Sequence, residues 1–195
     1  IPGTDLEALT SVNDRLFAIA ERSSKSELIE LEWNGGLLAV VSRWFIPTPA
    51  AEGIAYVPVK DKLYIAGDMQ SRLPHERGVI DVYDVPDRNS TVIESPRSLN
   101  KNVLSNGLAD SKIASLYYFE DTLYVLHDNS QIVRAWDIEK GTSLGQFNLP
   151  RVGGDFNRQW EGVAFQRNVE KMDSLLRGLQ DRPQSSLVMH LTLDS

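Results

Sequence analysis

Seven carboxylates recur at matching places along this chain, and acids repeated in one setting are the side chains best suited to holding a hard cation. Glu7, Glu52 and Glu161 each lie in a short apolar segment: LEAL (Leu6 to Leu9), AEGIAY (Ala51 to Tyr56) and WEGVAF (Trp160 to Phe165). Glu21, Asp68, Asp128 and Asp181 close the segments LFAIAE, LYIAGD, LYVLHD and LRGLQD, each five residues after a leucine. Gathered carboxylates repel one another unless cations or hydrogen-bond donors compensate, and all-oxygen ligands suit calcium or magnesium. A divalent cation, calcium first, is therefore one expectation. The plainer expectation is that an acid at a strand end accepts backbone N–H bonds from the adjoining turn, because buried polar groups are usually hydrogen-bonded. A structural acid of that kind would repeat just as a ligand would.

A second set is basic. Arg72, His75 and Arg77 fall in the long connection Met69 to Gly78, Lys101 in Arg97 to Ser111 and Arg158 in Arg151 to Gln159, and Arg22 and Arg182 each follow one of the repeated acids. Loops of that length are more often functional than the usual two to six residues. Such arginines suit an anionic group, for instance on a small phosphorylated ligand; the plainer reading is solvated loop charge, the usual state of surface arginine. His75, His127 and His190 share no spacing with a nucleophile, so neither a histidine metal site nor a Ser-His-Asp triad is expected. Gly153-Gly154 lacks the GK[ST] of a phosphate loop. No catalytic set emerges.

The elements that would position these residues repeat as well. The fourth inner segment is IASLYY (Ile113 to Tyr118), where Ala114 stands in place of the glutamate. After each acid-closed segment comes an alternating run: ELIELEW (Glu27 to Trp33), VIDVYDV (Val79 to Val85), IVRAWDI (Ile132 to Ile138) and LVMHLTL (Leu187 to Leu193). Alternation at period two marks half-buried strands. Three units add an outer run ending in proline, at Leu37 to Pro47, Ser90 to Pro96 and Ser143 to Pro150; proline suits a sheet edge because it has no N–H to donate. Turn residues fall where hairpins need them, at Asn13-Asp14, Asn34-Gly35-Gly36, Asp61-Lys62, Glu120-Asp121 and Lys140-Gly141. Val169 to Leu179 also has helical spacing, but the repeat register makes Leu175 to Gln180 a strand.

Four-stranded antiparallel units at this spacing predict an all-β chain, a β-propeller with four recognisable four-stranded blades, the last lacking its outer strand. The repeats run over about 3–48, 49–96, 110–150 and 158–195 of a single domain. They would form a four-bladed ring closed imperfectly or part of a five- or six-bladed ring, with an edge and blade faces left open. Trp136-Asp137 and Tyr83-Asp84 approach the dipeptide of WD repeats; Leu31-Glu32 and Leu191-Thr192 do not, so a WD-repeat protein is not expected.

Composition narrows the partners. The chain has 195 residues, 42% of them hydrophobic, and a formal net charge of -7, which disfavours a nucleic-acid surface or an anionic membrane. No run approaches the ~20 apolar residues of a transmembrane segment. The absence of cysteine excludes disulfides, thiolate ligands and a cysteine nucleophile. The chain opens at Ile1 and contains Asn89-Ser90-Thr91, a glycosylation triplet. Both are compatible with an extracytoplasmic or organelle-lumen location after removal of a targeting segment.

DLEAL (Asp5 to Leu9), AEGIAYVPVKDKLYIAGD (Ala51 to Asp68) and WEGVAF together resemble the phytase-like and SdiA-regulated propellers, which grade into NHL-type repeats. The resemblance covers nearly the whole chain. It implies phosphoester hydrolysis with carboxylate-held calcium at one mouth of the channel, and Ala114 departs from the pattern. Two functions follow from these readings. One is a non-catalytic propeller that binds protein partners as an assembly subunit; the other is a calcium-assisted phosphoesterase in which the cation polarises the phosphoryl group and arginine steadies its charge.

Overall fold

The structure, a computed structural model, describes residues 5–22, 25–68, 78–88, 97–98, 112–127, 130–149, 159–166, 179–180 and 186–192. The first unit is β1 (Asp5–Val12), β2 (Arg15–Arg22), β3 (Lys25–Asn34) and β4 (Leu37–Ile46). The second is β5 (Ala51–Val57), β6 (Lys62–Asp68), β7 (Gly78–Asp84) and β8 (Arg97–Ser98). The third is β9 (Ile113–Phe119), β10 (Thr122–His127), β11 (Ile132–Asp137) and β12 (Thr142–Asn148). Each is a four-stranded antiparallel sheet with its strands in chain order.

The hairpins form where turn chemistry permits left-handed backbone. Gly35 and Gly36 have φ of 59° and 96°, and Glu120 and Asp121 have φ of 46° and 61°. Positive φ at both central residues matches the twist of two-residue hairpins. Between β5 and β6 a short 3₁₀ turn, Pro58–Lys60, ends at left-handed Asp61, whose N–H bonds to the Pro58 carbonyl at 3.1 Å.

β1 packs beside β5, β5 beside β9, and β9 beside the first strand of the last unit, β13 (Gln159–Gln166). First strands lying side by side, with the sheets face to face, make a propeller. The faces turned toward each other are apolar because each meets a neighbour. Phe17, Ile19, Leu28, Trp44 and Ile46 of the first sheet pack on Ile54, Leu63, Ile65 and Tyr83 of the second. The other face of the second, with Tyr64, Ala66 and Ile80, meets Leu123, Val125 and Trp136. Burying one such side chain contributes about 1.5–3 kcal/mol.

One expectation is corrected. The last unit is not a meander: β13 pairs in parallel with β15 (Ser186–Thr192), and β14 (Leu179–Gln180) pairs with the other edge of β15. Parallel neighbours need a crossover of a dozen or more residues, and residues 167–185 are long enough to supply it. In the second unit the described part of the outermost strand is Arg97–Ser98, the start of the expected loop, where Ser98 pairs with Asp81 and Arg97 with Val82. Residues 90–96, expected to form that strand, and residues 169–178 lie outside the described residues.

Candidate functional site

The acidic end of the propeller is built on a repeated backbone irregularity. In β1 the pairing with β2 slips between Leu6 and Ala8, leaving Glu7 as the extra residue. In β5 it slips between Ala51 and Gly53, at Glu52. In β9 Ile113 and Ser115 pair with adjacent residues of β10, so Ala114 is extra. In β13 the slip against β15 falls at Glu161. A β-bulge adds one unpaired residue, re-aims its side chain and sharpens the local twist. The recurring glutamate is therefore the bulge residue of the innermost strand, and the alanine of the third unit occupies the same bulge.

The register also places the second set of acids. Asp5 pairs with Glu21, and Ala51 pairs with Gly67, one residue before Asp68. Glu7, Glu21, Glu52 and Asp68 thus lie at one end of their hairpins. The backbone of Glu21, Arg22, Asp68 and Glu161 is placed, without a description of their side chains. Asp128, Asp181, Arg72, Arg77, Arg158, Arg182, His75 and Lys101 lie outside the described residues.

Glu52 has its own cation. Lys112, just before β9, approaches its Oε1 to 3.4 Å, with both side chains largely shielded from water. Among the described residues no three acids or histidines come together to hold a metal ion. Gly53, following the bulge, explains the recurring acid-glycine pair in that unit: a Cβ there would lie 3.0 Å from the Leu116 backbone nitrogen of the next inner strand.

Three clusters were not singled out by the sequence. At the opposite end of the first sheet Arg15 and Arg88 both grip buried Glu30, and Arg15 also donates to the Pro86 carbonyl at 2.8 Å. The Arg15 and Arg88 guanidiniums hold the Glu30 carboxyl below its usual range against the opposing effect of burial. In the link between the first two units, the Thr48 hydroxyl donates to Asp81 Oδ2 at 2.8 Å and meets the Tyr83 hydroxyl, all three side chains being buried. Burial pushes the Tyr83 phenol up to about 12. In the third unit His127 is fully buried, with neither ring nitrogen in a well-formed hydrogen bond. Burial, then the Arg134 charge, pull its pKa down to about 4, so it is neutral at pH 7. The available signal was a charged residue interrupting an apolar run, as at Glu30 in ELIELEW, Asp81 in VIDVYD and Arg134 in IVRAWD.

No family model matches the chain, and no curated protein matches its sequence. Among solved structures, the WD40 β-propeller domain of Doa1 is similar with a TM-score of 0.45 and 11% identity, over 74% of this chain and 41% of that one. The WD40 domain of Toxoplasma gondii coronin is similar with a TM-score of 0.49 and 16% identity, over 73% of this chain and 34% of that one. The likeness is one of fold. This chain spans less than half the length of either structure.

Proposed function

We propose that the chain is a non-catalytic β-propeller serving as a protein-interaction or assembly subunit of a larger complex. The observation that supports it is the character of two outermost strands. All seven residues of β12 are exposed, Leu144 and Phe147 among them. On β4, Leu37, Leu38, Val41 and Phe45 are exposed. Both strands end their sheets, and an apolar edge strand is a template for association unless another chain covers it. The test is native mass and composition of the protein purified gently from its source. Recovery within a defined complex supports the reading, and recovery as a lone chain overturns it.

A second reading is favoured by the three bulge glutamates at one end of the propeller: a calcium-assisted phosphoesterase of the phytase-like type, with Glu7, Glu52, Glu161, Glu21, Asp68, Asp128 and Asp181 as ligands. Arg22, Arg72, Arg77, Arg158 and Arg182 would receive the anion. Calcium held at 100 times its dissociation constant would stabilise the fold by about 2.7 kcal/mol. A melting temperature indifferent to millimolar calcium, with no phosphate released from a phosphomonoester, sinks this reading.

A further inference from the structure

One hairpin does not stop where its sheet stops. Pairing between β2 and β3 ends at Leu16 and Leu31, yet β3 continues through Glu32, Trp33 and Asn34 while β4 returns through Leu37, Leu38 and Ala39. β2 begins at Arg15, which the register sets opposite Glu32, so Trp33 and Asn34 carry the arm about 7 Å past the start of β2 at the usual rise per strand residue. The equivalent strands of the other units end flush: β7 stops at Asp84 opposite Lys62, and β11 at Asp137 opposite Thr122. The third unit's tip is polar, Glu139-Lys140-Gly141. The first unit's tip is apolar, with Trp33 69%, Leu37 75% and Leu38 46% exposed.

The arm is braced at its root. Glu30, which Arg15 and Arg88 grip, pairs directly with Ser42 of β4, and the Ser42 hydroxyl donates to the Arg88 carbonyl at 3.4 Å. Trp33 pairs with Leu38 across the arm, and Gly35-Gly36 closes it. A preformed arm loses little freedom on docking. Around the root, Asp14 and Glu32 lie close enough to Arg88 to act on its charge, and exposed Asp87 adjoins it in sequence. Arg15 and Arg88 leave one positive charge over after Glu30, and the three acids Asp14, Glu32 and Asp87 outnumber it, so the root is negative in balance.

We propose that the β3–β4 hairpin is a docking arm whose apolar tip, anchored by Trp33, seats in an apolar groove of a protein partner rimmed by lysine and arginine. The proposal rests on the assembly-subunit reading and names the surface and partner chemistry that reading leaves open. Tryptophan is among the commonest interface anchors. The acidic root fits a basic rim, whereas it repels an anionic membrane surface and the same acidic root on a second copy of this chain.

The test replaces Leu37 with the photo-crosslinker benzoylphenylalanine in the full protein in its source cells, with Leu144→benzoylphenylalanine, another exposed apolar position, as the control. The expected result is a Leu37-specific adduct to one protein, at an apolar residue flanked by Lys or Arg. With that protein purified, Trp33→Ala weakens binding at least about tenfold. Glu32→Gln weakens binding at low salt and less at high salt, and Trp33→Ala leaves the melting temperature unchanged. An adduct to lipid, to a second copy, or to the same proteins from both positions overturns the proposal, as does an unchanged affinity of Trp33→Ala. If the native complex survives Trp33→Ala, the arm proposal falls and the assembly reading stands. If the wild-type protein forms no complex, both fall.

Discussion

Arg15 holds Glu30 through two parallel hydrogen bonds, Nε to Oε1 at 3.0 Å and a terminal nitrogen to Oε2 at 2.9 Å, while its guanidinium carbon lies 4.7 Å from the Phe17 ring centre. Glu30 is fully buried between the first two sheets, and Arg88 closes the group from the second unit at 2.9 Å. A buried carboxylate is tolerable only when such partners replace its lost water. This group therefore fastens one blade to the next and fixes the root of the projecting arm.

Arg15→Ala strips Glu30 of its bidentate partner and should cost about 3–5 kcal/mol, the usual result of breaking a buried pair. Glu30→Gln should cost less, because Arg15 and Arg88 are part-exposed and can turn to water. Because the folded-state pKa of Glu30 is lowered, its stabilisation is present above the unfolded value and lost as pH falls through the folded value. Denaturant titrations at neutral and acidic pH check the order. Equal costs for the two variants would refute this account of the clamp.

His127 should make the third blade acid-sensitive. Its pKa falls from 6.5 to about 4 on folding, so below pH 6.5 the unfolded chain binds a proton that the folded one refuses. Stability is then full above pH 6.5 and declines as pH falls to 4, by up to about 3 kcal/mol. His127→Leu should flatten that stretch of the melting-temperature profile. A wild-type profile already flat between pH 6.5 and 4 would rule the effect out.

The sequence carried the hairpins plainly, because alternation and turn chemistry are local: Asn13, Gly35, Glu120 and Gly141 all take positive φ where turns were expected. The recurring glutamate was legible as a position and not as a shape. What all four inner strands share is a bulge, and Ala114 adopts it without a carboxylate. Glu30 was hidden for two reasons. Its partners lie 15 and 58 residues away, and alternation treats one sheet face as solvated, whereas both faces of the first sheet carry buried side chains. The parallel pairing of β13 with β15 was equally hidden, because a long connection permits either a meander or a crossover.

The order of donors at Thr48 yields a graded prediction. A carboxylate accepts only, so the Thr48 proton goes to Asp81 and the Tyr83 phenol, kept protonated by a pKa of about 12, must donate to Thr48. Tyr83→Phe removes one terminal donor and should cost about 1 kcal/mol. Thr48→Val takes an acceptor from the buried phenol and a donor from Asp81, and should cost about 1–3 kcal/mol. Thermal unfolding of the two variants decides it; the reverse order would mean that the phenol is not the terminal donor.

Gly67 tests whether the link between blades needs bare backbone. A Cβ there would stand 2.2 Å from the Pro49 carbonyl oxygen and 2.7 Å from the Thr48 methyl, closer than such atoms can approach. The link would have to move, and its movement would disturb the Thr48 bonds to Asp81 and Tyr83. Gly162, where nothing lies within 4 Å of an added Cβ, provides the matched control, because the same substitution there meets no atom and reduces the freedom of the unfolded chain. Gly67→Ala should therefore lower the melting temperature by more than Thr48→Val alone, while Gly162→Ala leaves it unchanged or slightly raised. Calorimetry of the three variants gives the comparison. If Gly67→Ala melts with the wild type, the link is free to shift and the Thr48 group does not join the blades.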